Sequence, residues 1–277
     1  MISFSGQEVT DCNVVLDSFY IPNFLDKLNI KHEDVLQQMN QKMLFIPRQS
    51  KEMLYRGNAL SREKFFLTRN KSGTIYKYTY PGFQYASMQH YKYFEDLPIV
   101  HEIIQIIEKQ LLYNYKPVTV TQAIGTRYIQ ITDNIGFHSD KIKDILEDSP
   151  ILTLSFGDVR ELHLLDNSTG QVCQVLVLEP GSLFILGPKT NNLMKHSLVK
   201  ISDEKKIKRV EPPRPRISIV LRHIKTEISL SSLETKLKKS TKKKQPKTVS
   251  DKIPLKKKTL TPKIAIKLKE EEEVHPV

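Results

Sequence analysis

The sequence predicts an α+β fold that ends in a β-sandwich or jelly roll. The stretch VHEIIQIIEKQLLYNY at 100–115 places its apolar residues at helical spacing. It is followed by six short runs rich in β-branched and aliphatic residues: VTVTQAIGTRYIQI, ILTLSFG, ELHLLD, CQVLVL, SLFILG and RISIVLRHI. Helices followed by a series of short strands are typical of α+β chains whose strands close into a sandwich or jelly roll.

Two further stretches predict local structure. FYIPNFLDKL followed by HEDVLQQMNQ predicts a strand that leads into a helix near the N-terminus. EPGS stands between CQVLVL and SLFILG, and its Pro and Gly favour a tight turn, so these two runs are expected to form a hairpin.

The C-terminal residues differ in composition from the rest of the chain. The net charge of +12 is concentrated there, because residues 231–277 contain 14 Lys, no Arg and 6 acidic residues, and no aromatic residue. Such a segment buries too little apolar surface to offset its ordering entropy, so 229–277 is expected to be a disordered Lys-rich tail. Its lysine runs suit phosphate backbones, and a solubilising or nuclear-targeting role fits them equally well.

The composition also argues against several classes of protein. Only two cysteines occur, Cys12 and Cys173, so no disulfide framework is available, and an intracellular setting, nuclear or cytoplasmic, is favoured. The two cysteines form no CxxC pattern, so no zinc site is expected. The chain has no long apolar run and no signal pattern, so no membrane partner is expected. Phosphate-binding glycine-rich motifs are absent from the sequence, which argues against nucleotide-triphosphate and dinucleotide enzymes.

A histidine and an aspartate lie two residues apart in GFHSDKI, at His138 and Asp140. On a strand they would point the same way, which suits either a metal site or a polar strand surface. A second histidine, His196, follows 58 residues later in NNLMKHSLV. Taken alone, it is expected to be a loop or core histidine. Two histidines and one carboxylate on neighbouring strands, however, form the facial triad of non-haem Fe(II) oxygenases.

The last predicted strand, RISIVLR, carries two arginines on one face. Arg216 and Arg222 share that face with Ser218 and Val220, while the opposite face is wholly aliphatic. Arginines that face the interior need an anionic partner, and the guanidinium group suits carboxylates. The pattern alone fits an exposed edge strand with two solvated arginines as well.

Together these parts resemble the AlkB-like Fe(II)/2-oxoglutarate dioxygenases over about residues 15–226. TRYIQITDNIGFHSD is similar to that family's strand and loop before the metal site, and SPILTLSFGDVREL to its strand after the HxD loop. LEPGSLFILGPKTNNLMKHSL is similar to the family's hairpin that leads into the distal histidine. The resemblance implies a catalytic domain at 1–228, with N-terminal helices and a nucleotide-recognition lid at 15–115. A double-stranded β-helix (jelly roll) at 116–228 would form its catalytic core, on which the N-terminal helices would pack.

The resemblance also implies roles for individual residues. The Fe(II) ligands would be His138, Asp140 and His196, with 2-oxoglutarate and O₂ as co-substrates. Arg216 would pair with the distal carboxylate of 2-oxoglutarate, Arg222 would lie near its chelating end, and Tyr128 would donate a hydrogen bond. The residues that would contact substrate are Arg56, Tyr76, Tyr78, Tyr80 and Arg160.

The substrate is less closely specified. IYKYTYPGF at 75–83 resembles the lid that covers a flipped nucleobase in this family, although alternating tyrosines are also an ordinary strand face. DNA-repair members commonly carry acidic residues after the HxD pair, where this chain has Lys141 and Ile142. The last strand also lacks the Asn and Thr of the family pattern R-x-N-x-T-x-R.

The resemblance thus implies an enzyme that oxidatively demethylates N-alkylated DNA or RNA and releases formaldehyde, succinate and CO₂. Nothing in the sequence demands more than a monomer. One alternative is a 2-oxoglutarate oxygenase that hydroxylates or demethylates a protein side chain. The other is a non-enzymatic protein that binds nucleic acid through its tail.

Overall fold

The computed structural model describes residues 7–8, 17–48, 50, 54–55, 58–71, 73–78, 91–114, 116–130, 132–199 and 215–229, with the backbone alone for 7–8, 54–55 and 58–59. All of these lie in the first of the two units into which the chain divides, Met1–Leu237, and the second, Lys238–Val277, lies outside them. Among the features predicted from the sequence, the tail beyond Ser229 and the residues Arg56 and Tyr80 also lie outside the described residues. The domain boundaries at 115 and 228 stay predictions.

The described residues contain three α-helices and two short 3-10 helices among many strands. The helices are α1 His32–Lys42, α2 Pro98–Gln110 and α3 Pro188–Leu193, with 3-10 turns at Asp26–Leu28 and Phe94–Asp96. The strands are β1 Gln7–Glu8, β2 Phe19–Ile21, β3 Leu54–Tyr55, β4 Asn58–Ala59, β5 Glu63–Thr68, β6 Thr74–Tyr76, β7 Tyr91–Tyr93, β8 Leu112–Tyr113, β9 Lys116–Pro117, β10 Gln122–Tyr128, β11 Ile135–His138, β12 Ile151–Phe156, β13 Arg160–Asp166, β14 Val172–Leu178, β15 Leu183–Leu186, β16 Met194–Val199, β17 Arg216–Arg222 and β18 Glu227–Ser229.

Two sheets form the body of the fold. The larger has the strand order β1-β2-β15-β12-β17-β10-β5-β7, and the smaller has the order β11-β16-β13-β14. Their inner faces share one apolar cluster, in which Phe184 of the large sheet lies with Leu164 of the small sheet. Two facing, mostly antiparallel sheets with few helices form a jelly roll, which confirms the predicted fold class.

The two longer helices cover the outer face of the large sheet. In α2 the buried residues are Val100, Ile103, Ile104 and Ile107, the spacing of a single apolar stripe, and Pro98 occupies the first turn. This stripe shares a second apolar cluster with residues of α1 and β17. The helix predicted over 100–115 therefore exists, but it ends at Gln110 because the next residues pair as β8 with β9.

The hairpin predicted at EPGS is wrong. A turn is present, and Gly181 adopts a positive φ of 77° that favours glycine. However, β14 pairs with β13 in the small sheet, whereas β15 pairs with β12 and β2 in the large one. The turn thus carries the chain from one sheet to the other, because turn residues determine a reversal but not the strand that is paired afterwards.

None of the helices in the described part of the chain is long and apolar enough to cross a membrane.

Candidate active site

The two faces of β17 separate the helix-covered core from an internal cavity. Arg216, Ser218, Val220 and Arg222 line the cavity, while the three aliphatic residues between them are fully buried in the core beneath the helices. Arg216 is 0% and Arg222 6% exposed. Both arginines therefore point inward, and the exposed edge strand considered above is not found.

Two histidines and an aspartate that line this cavity lie close to one another. His138 ends β11 and lies opposite His196 of β16, with their ring centroids 4.3 Å apart. Candidate ligand atoms of His138, Asp140 and His196 all lie within 4.8 Å of one another. The structure thus brings together the three residues predicted as metal ligands. The strand-alternation argument holds only in part, because β11 ends at His138 and Asp140 reaches the cluster from the following loop.

Asp140 is positioned by an asparagine that sequence reasoning missed. Asn191 accepts a hydrogen bond from the Asp140 backbone N–H through Oδ1 at 2.8 Å and donates one from Nδ2 to the Asp140 carbonyl at 3.0 Å. Asn191 lies in α3, whose first turn is held by Asp17 through the backbone N–H groups of Lys189 and Thr190, both at 2.9 Å. Nothing in the NN pair of the sequence distinguishes it from an ordinary helix start, so only the structure reveals this contact.

The donor set fits a divalent metal such as Fe(II). The Nδ1 atom of His138 lies 2.8 Å from the Gly136 carbonyl, which can only accept, so Nδ1 carries the proton and Nε2 offers a lone pair to a metal. The buried Nδ1 atom of His196 has no hydrogen-bond partner among the described residues, and burying a polar atom in this way costs free energy. A metal ion bound by this ring would offset that cost. Two imidazoles and one carboxylate, with positions left open, are the ligands that non-haem Fe(II) prefers.

An arginine from β17 sets the charge of the aspartate. Arg222 Nη2 donates to Asp140 Oδ2 at 2.8 Å, and Asp140 Oδ1 lies 4.0 Å from His138 Nε2. Burial acts to raise the pKa of Asp140, but Arg222, His196 and His138 together lower it to about 2. Burial, with His138 beside it, lowers the pKa of His196 to about 4. Both side chains are therefore unprotonated near neutral pH, as metal ligands must be.

Arg216 lines the same cavity and has no carboxylate among its described hydrogen-bond partners. It donates to Ser155 Oγ at 3.0 Å and, at 3.4 Å each, to the carbonyls of Asp158 and Leu178. The Asp158 carboxylate is bonded to a different arginine, Arg160. Burial lowers the pKa of Arg216 to about 10, so the group remains charged at neutral pH. A buried guanidinium of this kind is suited to the carboxylate of a small ligand.

Two of the predicted tyrosines line the same cavity. Tyr128 is 4% exposed and lies directly opposite Arg216 in the pairing of β10 with β17. Tyr78 is 3% exposed, and its ring centroid lies 4.6 Å from the Arg222 guanidinium. Tyr78 follows the end of β6, so the predicted strand face of three tyrosines is not formed in the described residues.

The structure does not bring two other predicted substrate residues to the cavity. Arg160 is 2% exposed, bonded to Asp158 and to the Gln130 carbonyl at 3.2 Å, and is not among the residues that line the cavity. Tyr76 packs at the edge of the inner apolar cluster, and its backbone N–H donates to Thr68 Oγ1 at 3.0 Å. Arg160 thus braces the loop before the metal cluster from within the fold.

Two basic residues line the cavity although no pattern in the sequence indicated that they face inward. Arg62 and Lys64 line it from the start of β5, where Lys64 lies opposite Thr126 and donates to its Oγ1 at 2.9 Å. The stretch REKFFLT looks like an ordinary amphipathic strand, so its polar face could equally have been solvated.

A jelly roll with a two-histidine, one-carboxylate cluster beside a buried arginine defines the class of non-haem iron oxygenases that use a 2-oxo acid. The chain matches the family model of the 2OG-Fe(II) oxygenase superfamily over residues 17–222, and it belongs to that superfamily. It is therefore an Fe(II)- and 2-oxoglutarate-dependent dioxygenase with O₂ as the second co-substrate, as the sequence predicted. The AlkB-like motifs around the HxD pair lie within the matched range.

Comparison with individual proteins adds little to this assignment. No curated protein matches the chain significantly. One matching solved structure, that of OsALKBH1, is 18% identical with a TM-score of 0.48, and the match covers 76% of this chain and 100% of that chain.

Proposed function

We propose that the protein oxidatively demethylates N-alkylated DNA or RNA, releasing formaldehyde, succinate and CO₂. The observation that carries this proposal is a single cavity lined by His138, Asp140 and His196, by the buried Arg216 and by the aromatic ring of Tyr78. Nucleic acid as the substrate is supported by the AlkB-like order of the motifs and by the lysine-rich C-terminal residues, which suit a phosphate backbone.

The residues that line the cavity have different roles in the proposed reaction. His138, Asp140 and His196 would hold Fe(II), and Arg222 keeps one oxygen of Asp140 occupied so that the other faces the metal position. Arg216 would bind the distal carboxylate of 2-oxoglutarate, and Tyr128 beside it would donate a hydrogen bond. When bound, Fe(II) and 2-oxoglutarate supply the O₂-dependent oxidation of a substrate C–H bond.

Much of the remaining wall of the cavity is apolar. Apolar side chains from both sheets contribute to it, including Ile135, Ile151 and Leu198. An apolar wall strengthens the interaction of Arg216 with a carboxylate and protects the oxidation from side reactions. Tyr78 offers a ring face against which a planar base can stack.

Succinate and formaldehyde formation with matched oligonucleotides tests this proposal. Protein loaded anaerobically with iron would be given 2-oxoglutarate and O₂ with DNA or RNA that does or does not carry N-methyl groups. With the wild-type protein, we expect equal amounts of formaldehyde and succinate when the oligonucleotide carries N-methyl groups, and no formaldehyde when it does not. The His138→Ala variant should form neither product. Succinate formation that no methylated oligonucleotide stimulates would contradict the nucleic-acid substrate.

A protein side chain remains the second candidate because of the residues after the metal cluster. Lys141 and Ile142 stand where DNA-repair members carry acidic residues, and Ile142 is 66% exposed. No carboxylate is therefore offered to a base from these two positions. Mass spectrometry of cell proteins after incubation with the iron-loaded enzyme would favour this candidate if a new hydroxyl group, or the loss of a methyl group, depended on 2-oxoglutarate.

A further inference from the structure

The chain segment that runs from α3 into the start of β16 contributes to two of the three metal ligands. In α3, Asn191 bonds to the backbone of Asp140, and β16 carries His196 itself. Between them, the Met194 carbonyl accepts a hydrogen bond from Ser139 Oγ at 2.8 Å, so the residue before Asp140 is held by the same segment. A shift of α3 would therefore disturb the metal cluster.

The N-terminus of α3 has no cap of its own. The residue before the helix is Gly187, which has no side chain, and Pro188 has no backbone N–H. The N–H groups of Lys189 and Thr190 therefore need an acceptor from another part of the chain. A helix of six residues is also too short to be stable by itself. The position of α3 thus depends on the contacts at this end.

Asp17 supplies the missing acceptors from a position 172 residues earlier in the sequence. Its Oδ2 accepts the Lys189 N–H at 2.9 Å, while its Oδ1 accepts the Thr190 N–H at 2.9 Å and the Thr190 hydroxyl at 2.8 Å. Burial acts to raise the pKa of Asp17, but hydrogen bonds from Thr190, Lys189 and Tyr113 bring it below its ordinary value. The carboxylate is therefore ionised at neutral pH, which the dipole of a helix N-terminus favours.

The contact between Asp17 and the start of α3 is also sterically close. A Cβ atom at Gly187 would lie 2.2 Å from the Asp17 Cγ and carbonyl oxygen, so a side chain there would displace this contact. On its other side, Asp17 is held by Tyr113, whose hydroxyl lies 2.9 Å from Oδ2 and 3.0 Å from the Asp17 carbonyl oxygen. Asp17 therefore fixes the start of α3 against another part of the fold.

We propose that Asp17 is a positioning residue for the metal site, which acts through α3 on Asn191 and so on Asp140. Asp17 is not among the described residues that line the cavity, and its hydrogen bonds reach the site through the helix. Groups that orient a metal ligand typically change metal affinity when they are replaced, even though they do not touch the ion. The proposal does not depend on which substrate the enzyme oxidises.

A Mn(II) titration of two matched variants separates positioning from general stability. Asp17→Asn and Tyr113→Phe both remove a hydrogen bond of the Asp17 Oδ atoms, but only Asp17→Asn changes the contact with α3. The dissociation constant of Mn(II) would be measured by the EPR signal of the free ion with 2-oxoglutarate present, and urea unfolding would give the stability of each variant.

We expect the dissociation constant of Mn(II) to rise at least about tenfold in Asp17→Asn. It should stay at the wild-type value in Tyr113→Phe, although both variants lose stability. A wild-type dissociation constant in Asp17→Asn, or an equal rise in Tyr113→Phe, would overturn the proposal.

Thr190→Val provides a milder change if Asp17→Asn does not fold. Thr190 is fully buried, and valine has a similar shape but lacks the hydroxyl that donates to Asp17 Oδ1. We expect a smaller rise in the dissociation constant of Mn(II) than Asp17→Asn would cause. An unchanged dissociation constant in Thr190→Val would contradict the proposal.

Combination with Asn191→Ala tests the route through α3. If Asp17 acts through Asn191, Asp17→Asn should weaken Mn(II) binding much less in the Asn191→Ala background than in the wild type. If the two substitutions instead multiply their separate effects on the dissociation constant, Asp17 acts independently of Asn191 and the proposal fails.

Discussion

Two fully buried arginines of this fold should respond in opposite ways to the same substitution. Arg216 has no carboxylate among its described hydrogen-bond partners, whereas Arg160 is bonded to Asp158. They are 0% and 2% exposed, so replacement by methionine removes a buried charge of similar size in each case. If Arg216 is retained to bind 2-oxoglutarate, its loss should cost co-substrate affinity but not stability.

The structure gives the direction and approximate size of each effect. Arg216→Met replaces a buried charge that has no carboxylate among its described hydrogen-bond partners by an apolar side chain, which is expected to leave the unliganded protein equally stable or up to about 4 kcal/mol more stable. Removing one member of a buried charge pair costs about 2–5 kcal/mol in binding, so the dissociation constant of 2-oxoglutarate should rise at least about 30-fold. Arg160→Met leaves the Asp158 carboxylate buried and unpaired, which is expected to cost about 3–5 kcal/mol of stability.

Urea unfolding and calorimetric titration measure these effects separately. The free energy of unfolding would be determined for the wild type and both variants, without metal or 2-oxoglutarate. The affinity for 2-oxoglutarate would then be determined on Mn(II)-loaded protein. If Arg216→Met destabilised the fold as much as Arg160→Met and bound 2-oxoglutarate like the wild type, Arg216 would be a structural residue and the reasoning would be refuted.

Three further changes have expected outcomes. Asn191→Ala loses both hydrogen bonds to the backbone of the aspartate ligand, and we expect metal affinity to fall about 10- to 100-fold in a metal titration. Burial lowers the pKa of His196 to about 4, so as pH falls this imidazole takes up its proton in the unfolded chain before it does so in the folded one. The free energy of unfolding of the metal-free protein should therefore decrease between about pH 6.5 and 4. Urea unfolding at several pH values would measure this decrease. Gly125→Ala places a methyl group onto the Phe65 ring and should cost about 1–3 kcal/mol in the same assay, whereas Gly136→Ala, with nothing within 4 Å, should cost less.

The sequence contained the parts of the fold and site that depend on local periodicity and chain order. In β17 the alternation of Arg216 and Arg222 with aliphatic residues is a period-2 pattern, and the structure confirms which face is interior. The order of His138, Asp140 and His196 along the chain was sufficient to predict a cluster that the structure brings together.

Other features depend on contacts between residues far apart in the sequence. The inward direction of Lys64 follows from the pairing of β5 with β10, and a single strand of this composition does not specify its partner. Asn191 bonds to a residue 51 positions away, which no local pattern indicates. The EPGS turn was wrongly assigned to a hairpin because strand pairing also depends on contacts between distant residues. The turn reverses the chain but does not determine which strands pair on either side of it. Arg160 looked like a substrate residue by resemblance, but its burial against Asp158 is visible only in three dimensions.

Anaerobic titration with Fe(II) and 2-oxoglutarate tests the metal site most directly. A 2-oxo acid chelated to Fe(II) absorbs visible light, so the absorption reports that metal and co-substrate meet at one site. We expect it to saturate at one Fe(II) and one 2-oxoglutarate per chain in the wild type and to be absent in His196→Ala at the same concentrations. Wild-type protein that gives no such absorption, or a His196→Ala variant that gives the same absorption, would contradict the assignment of His138, Asp140 and His196 as the ligands of a catalytic iron.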